Sequence, residues 1–386
     1  MQEALIHVNT LKTDAPTVGG LNRRDFLKFC SSIAATLGLS SQAAYQIAAA
    51  ATSGQRPPVI WLHGQECTGC SESMLRATHP TLENLILDII SLDYHETLNV
   101  AAGHQLEAAK RESMEKNKGK YVLVMEGGIP TKDNGIYCKI GNQTILDSVK
   151  EAAVDAAAII CIGSCASWGG IQSMAPNPTG AKGAPEVLAE HKNKIVTIPG
   201  CPPNPHNFLA TVLQFITYGT LPELDHLNRP KFAYGRLVHE NCERRAHFNA
   251  GRFAIEFGDE GHRLGYCLYK LGCKGPETYA NCPAILFGDV TYGSWPVATG
   301  HGCIGCTEQG VVFQKPIYSL AEHKSATPPV AYPRIEEARG QGITPESAAL
   351  AGAAVGAVIG AGAMVVARVG AATPAVTKTP EVTQKD

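Results

Sequence analysis

The stretch Ala156-Ala157-Ala158-Ile159-Ile160-Cys161-Ile162-Gly163-Ser164-Cys165 decides the fold. Seven apolar residues that end in a glycine turn have the length and character of a strand buried on both faces. Comparable runs occur at Pro58 to Leu62, Leu85 to Leu92, Tyr121 to Met125 and Ile195 to Ile198. Helix-like stretches at Glu72 to Leu87, Ala101 to Glu115 and Gln143 to Ala153 lie among them. This alternation predicts an α/β domain over residues 57–219, with a doubly wound parallel sheet covered by helices.

The residues just beyond three of these strands point to chemistry. The first strand runs into Glu66-Cys67-Thr68-Gly69-Cys70, the fourth into Gly163-Ser164-Cys165, and the fifth into Pro199-Gly200-Cys201-Pro202-Pro203. Open parallel sheets bind ligands outside the carboxyl ends of their strands, so Cys67, Cys70, Cys165 and Cys201 can converge on one metal centre. A phosphate loop would carry glycines where this first turn carries cysteines, and neither a G-x-G-x-x-G pattern nor a nucleophile elbow is present. With 33 Lys and Arg against 35 Asp and Glu, the net charge of −2 gives no basic excess for nucleic acid. Thirteen cysteines is a high and odd number, which suits metal thiolates better than paired disulfides.

After about Thr220 the strand runs fade, and Gly, Pro, Cys and His become frequent up to about Pro316. A segment of this kind, taken over residues 220–321, has little regular core and is expected to fold around its metals. Two ligand groups stand out: His239-x-x-Cys242 with Cys267-x5-Cys273, and Cys282 with Cys303-x-x-Cys306. Their spacing suits zinc and iron-sulfur sites alike.

The termini carry targeting signals. Asn22-Arg23-Arg24-Asp25-Phe26-Leu27-Lys28, the apolar Phe29 to Leu39, and the alanines around Ala48 to Ala51 read as a twin-arginine export signal over residues 1–50. Residues 322–346 read as a linker. Ser347 to Ala367 holds no charge, and as a helix would cover about 30 Å, enough for one transmembrane anchor. Gly352, Gly356 and Gly360 form a ridge for close helix approach. Arg368 and Lys378 favour a cytoplasmic tail over residues 368–386, with the body on the exported side.

Taken together, Glu66-Cys67-Thr68-Gly69-Cys70-Ser71-Glu72-Ser73, Gly163-Ser164-Cys165 with Trp168-Gly169-Gly170, and Pro199-Gly200-Cys201-Pro202-Pro203-Asn204-Pro205 resemble the small, electron-transfer subunit of nickel-iron hydrogenases. The likeness covers nearly the whole chain and is strongest to the membrane-bound uptake enzymes of the hydrogenase-2 type. It implies a flavodoxin-like first domain and a mostly irregular iron-sulfur domain. It further implies a proximal 4Fe-4S cluster on Cys67, Cys70, Cys165 and Cys201. A distal 4Fe-4S cluster would sit on His239, Cys242, Cys267 and Cys273. A medial 3Fe-4S cluster would sit on Cys282, Cys303 and Cys306, with Pro296 at the vacant corner. On this reading the chain holds no catalytic residue, because the nickel-iron centre belongs to a partner large subunit. Electrons would leave for a membrane acceptor subunit or the quinone pool, from the periplasmic face of the inner membrane, after passage through the twin-arginine export machinery. A dimer of heterodimers is compatible with the family and with the glycine ridge. Members that tolerate oxygen carry additional cysteines where this chain has Gly69 and Gly170, so the standard, oxygen-sensitive class is expected.

Two other readings compete. A complex I-like quinone-reductase subunit shares the cysteine-rich sheet edge but uses adjacent cysteines in place of C-x-x-C. A zinc-stabilised, membrane-tethered binding protein would use the same thiols without redox chemistry. Outside the three sets, Cys138 and Cys161 read as buried small hydrophobes, and Cys30 belongs to the leader. His63, His79, His95, His104 and His301 read as structural, and Glu66 and Glu72, which flank the first cysteine pair, read either as carboxylates that relay protons or touch the partner subunit or as helix-capping or solvated ones.

Overall fold

The computed structural model describes residues 28–323, apart from positions 29, 32, 35, 36, 38, 53–55, 79, 80, 291 and 292. Arg23, Arg24, the 347–367 span, the tail and all but the first two residues of the linker lie outside the described residues. Among the described residues no helix is long and apolar enough to cross a membrane.

Five strands form the central sheet: β1 Pro58–His63, β2 Ser91–His95, β3 Val122–Glu126, β4 Ala158–Ile162 and β5 Ile195–Ile198. Their order is β2-β1-β3-β4-β5, and all neighbours run parallel. This is the flavodoxin-like order, whose direction of winding reverses between β1 and β3. Alternate side chains feed two cores. Val59, Trp61, Val124, Ile160 and Val196 enter one, whereas Ile60, Leu62, Leu123, Ile159 and Cys161 enter the other.

The helices follow the same logic. α1 is Ser41–Thr52, α2 Gly69–Ser73, α3 Gly103–Lys116, α4 Ile145–Val154, α5 Gly163–Trp168 and α6 Pro205–Tyr218. Thr144 caps α4 by accepting from Asp147 N, and the helix buries Ile145, Val149, Ala152 and Ala153 in the core it shares with Leu106 of α3. On the opposite face α6 starts with an Asn204 cap and Pro205, ends at Gly219 in the left-handed region, and buries Phe208, Leu209, Val212 and Leu213. The leader residues of α1 join this core through Ala43, Ala44, Ile47 and Ala48.

One expected strand is displaced. Over Leu85 to Leu92 the chain is helical as far as Ile89, and the strand begins only at Ser91. Leu85, Ile89 and Ile90 face the core while Leu87 is 57% exposed, a helical spacing that an apolar run conceals. The true strand, Ser91-Leu92-Asp93-Tyr94-His95, lies at a sheet edge and carries polar residues there. The helix expected over Glu72 to Leu87 is also interrupted, with extended backbone at Ala77.

Beyond α6 the described chain to residue 323 contains only short helical turns and isolated bridges, such as Leu237 with Tyr279 and Phe253 with Cys267. Tyr234, Val238, Leu268, Trp295 and Val297 nevertheless share the core of α6. Arg229, almost fully buried, ties the segment together: its guanidinium meets Asp225 at 2.7 Å and Glu308 at 3.0 Å, and donates to the Thr307 carbonyl.

Candidate metal centres

The first centre is built at the carboxyl ends of the strands. β1 ends at His63, and the next turn passes through Thr68 in the left-handed region (φ 62°) before α2, so Cys67 and Cys70 sit on one tight bend. Glu126, the last residue of β3, holds this bend. Its carboxylate accepts from Cys70 N (3.1 Å), Ser71 N (3.2 Å), Ser71 Oγ (2.6 Å) and Trp61 Nε1 (3.1 Å). Gly163, at the end of β4, is required by contact: a Cβ there would lie 2.4 Å from Cys70 Sγ. Ser164 Oγ accepts from Gly200 N at 3.0 Å, joining the turn that carries Cys165 to the one that carries Cys201.

These sulfurs feel one another. Burial pushes the Cys70 thiol well up, and Glu126, Cys165, Cys67 and Cys201 add to the shift. Cys165 is pushed up to about 11 by burial and then by Cys201. Buried thiols such as Cys70 and Cys165, which resist ionisation alone, become thiolates once metal cations supply the compensating charge.

A second set lines one small pocket. His239 sits on the turn Val238–Glu240, and it shares the pocket wall with Cys242, Cys267 and Cys273. The bridge of Phe253 with Cys267 and the left-handed Gly272 (φ 86°) bring the latter two cysteines there. Arg244 N donates to Cys242 Sγ at 3.4 Å, as suits a thiolate ligand. His239 is 5% exposed, and its Nε2 is buried without a hydrogen-bond partner. Burial, then Arg245 and His323, lowers its pKa to about 4, so the ring is the neutral imidazole that metals bind.

The third set lies between the other two. Cys282 and Cys306 line a cavity of about 620 Å³, together with Pro296, Trp295 and Cys201 of the first set. Cys303 interacts with Cys282 and Cys306, and its N–H donates to Cys273 Sγ of the second set at 3.3 Å. Cys306 is also tied back to the first set, because its carbonyl meets Ser164 Oγ.

A mononuclear zinc site holds its sulfurs about 3.8 Å apart, given a Zn–S distance near 2.3 Å. Among the described residues no three of these sulfurs lie within 4.8 Å of one another. The one set of ligand atoms that is this compact is His63, Glu66 and Glu126, and the Glu126 oxygens already accept four hydrogen bonds.

Outside the sets, Cys161 is fully buried in β4 and Cys138 is half-buried, its thiol pushed up to about 11 by burial. His95 is buried against Ser71 Oγ, and His301 Nδ1 meets the Gly302 carbonyl. His79 lies outside the described residues. Sequence reasoning missed Glu126, Ser164 and Arg229. Of these Glu126 had a signal, as a carboxylate that ends an otherwise apolar strand.

Residues 67–215 match the family described as NADH ubiquinone oxidoreductase, 20 Kd subunit, and residues 234–319 match the C-terminal region of the NiFe/NiFeSe hydrogenase small subunit. Over 351 residues the chain is 57% identical to the hydrogenase-2 small chain of Escherichia coli strain K12, covering 91% of this chain and 94% of that one. It is 50% identical over 292 residues to the quinone-reactive Ni/Fe-hydrogenase small chain of Wolinella succinogenes, covering 75% and 81%. The crystallised [NiFeSe]-hydrogenase of Dm. baculatum includes a chain that aligns with a TM-score of 0.63 at 34% identity, covering 69% of this chain and 99% of that one. The chain belongs to the nickel-iron hydrogenase small-subunit family, which works beside a hydrogenase large subunit, and its cysteines serve iron-sulfur clusters. The hydrogenase-2 likeness read from the motifs is borne out. The second match separates the family from the complex I-like reading, which has no counterpart to the later cysteine groups.

Proposed function

We propose that this chain carries electrons from dihydrogen oxidation in its large subunit to a membrane quinone-linked acceptor, through three iron-sulfur clusters in series. Cys67, Cys70, Cys165 and Cys201 hold a proximal 4Fe-4S cluster, Cys282, Cys303 and Cys306 a medial 3Fe-4S cluster, and His239, Cys242, Cys267 and Cys273 a distal 4Fe-4S cluster. When bound, such clusters supply one-electron transfer at potentials tuned by ligand charge, hydrogen bonds and burial. The observation that carries this order is the double contact of the middle set: Cys306 shares a cavity with Cys201, and Cys303 N–H donates to Cys273 Sγ.

The protein's own groups have distinct parts in this scheme. Val238, Leu268 and Val297 line the pocket of the second set with apolar surface, and Trp295 does the same for the cavity of the middle set. Backbone N–H groups of Arg244, Cys303 and Gly305 point at sulfurs and stabilise negative charge there. The neutral His239 leaves its centre one negative charge short of a four-thiolate site, which raises the potential at the exit. The leader read in residues 1–50 and the anchor read in 347–367 support a body on the periplasmic face of the inner membrane, exported by the twin-arginine route.

Pro296 tests the assignment, because it lines the same cavity wall as Cys282 and Cys306. Pro296→Cys is expected to convert the oxidised 3Fe-4S EPR signal into a 4Fe-4S signal of lower potential. An unchanged 3Fe signal would remove the medial assignment.

A further inference from the structure

Ring packing encloses His239 more fully than ligation from a surface turn requires. Phe248 meets its imidazole edge-on at 4.4 Å between centroids and 83°, and His323 meets it at 5.2 Å and 89°. Phe248 and His323 stack on each other at 5.3 Å and 26°, so a pair of parallel rings stands against the imidazole. The pair is braced from behind, since Phe248 also meets Phe253 at 5.7 Å and Tyr269 at 5.6 Å. His239 Nε2, buried and without a hydrogen-bond partner, has no polar contact among the described residues to set the ring's rotation. Rotation about the bond to an imidazole is intrinsically soft, so the rings packed against it restrict its orientation.

We infer that Phe248 and His323 are positioning residues, a two-ring clamp that fixes the imidazole plane of His239 and so sets the ligand geometry at the centre where electrons leave. The inference rests on the reading of His239 as a ligand of the distal cluster. His323 is exposed, and it is the last described residue before the 324–386 stretch that contains the expected anchor. The clamp therefore draws one of its two rings from the start of the segment that leads to the membrane.

The test uses the complete two-subunit holoenzyme, with EPR during stepwise reduction and iron analysis as readouts. In Phe248→Leu and in His323→Ala the distal 4Fe-4S signal should change from one species to a mixture of the same total intensity, with a shifted midpoint potential. The proximal and medial signals and the iron content should stay as in the wild type. His323→Phe, which restores a ring without an imidazole, should recover the single species. His323→Ala, at an exposed position, keeps the test open if Phe248→Leu lowers the iron content. Distal signals unchanged in both ring-deleting variants, while His239→Ala alters them, would overturn the clamp and leave the ligand in place. Signals unmoved by His239→Ala as well would overturn the ligand reading and the clamp with it.

Discussion

The edge of the sheet and the cysteine-rich segment after α6 hold the same kind of ligand in opposite ways. At the sheet edge, three strand ends far apart in sequence deliver four thiols, and the hydrogen-bonded ladder fixes their approach before any metal arrives. In the later segment no strand of the central sheet takes part, and the ligands hang on turns, single bridges and a few buried polar ties such as Arg229 with Asp225 and Glu308. Lys274 belongs with these ties: it is 1% exposed, its Nζ donates to Ser319 Oγ at 2.9 Å, and its own N–H donates to the Cys303 carbonyl at 2.6 Å. The difference teaches that a sheet can pre-build a metal site, whereas a segment without one must share its folding energy with the metal.

Stripping the iron should break the comparison open most widely. Hydrogen exchange on the cluster-free protein is expected to lose protection across residues 231–323 while β1, β3 and β4 keep theirs, and equal loss in both regions would refute the contrast. Next in size, Arg229→Met removes the cation that faces Asp225 and Glu308, which should cost about 3–5 kcal/mol in denaturant unfolding of the loaded protein. A cost below about 1 kcal/mol would show that the later segment does not depend on this tie.

The sheet edge can be probed by two glycines. A Cβ on Gly170 would lie 2.3 Å from Cys165 Sγ at a backbone φ of +62°, whereas one on Gly69 would lie 3.1 Å from Cys67 Sγ with ordinary backbone. Gly170→Ala should therefore perturb the proximal EPR signal more strongly than Gly69→Ala; the reverse order would contradict the geometry. The smallest expected effect concerns pH. Burial, and then His63, lowers the His95 pKa from 6.5 to about 3, so the folded protein keeps this ring neutral. Between those values the unfolded chain binds a proton that the folded chain refuses, and stability should fall as pH drops through that window. His95→Gln should flatten this slope, as measured by denaturant unfolding at stepped pH.

Much of the first region was legible because its information is local. Apolar runs marked four of the five strands, and each cysteine stood directly after the strand that positions it. β2 escaped because an edge strand may be polar, and the apolar run beside it is helical. The second region showed its ligands through C-x-x-C and H-x-x-C spacing, but the groups that support them were hidden. Arg229 acts on Glu308 and Phe248 on His239 only through folding, and nothing in the sequence near either partner announces the other. His323 stood at the start of a stretch with the character of a linker, where no function was expected.

The most direct test of three centres in series is low-temperature EPR of the intact two-subunit enzyme, poised at successive potentials and paired with iron analysis. The account predicts a 3Fe-4S signal in the oxidised protein, two distinct 4Fe-4S signals on reduction, broadening of those signals by a paramagnetic medial centre, and about eleven irons in this chain. A colourless chain that holds zinc, or one with a single magnetically isolated cluster, would contradict it.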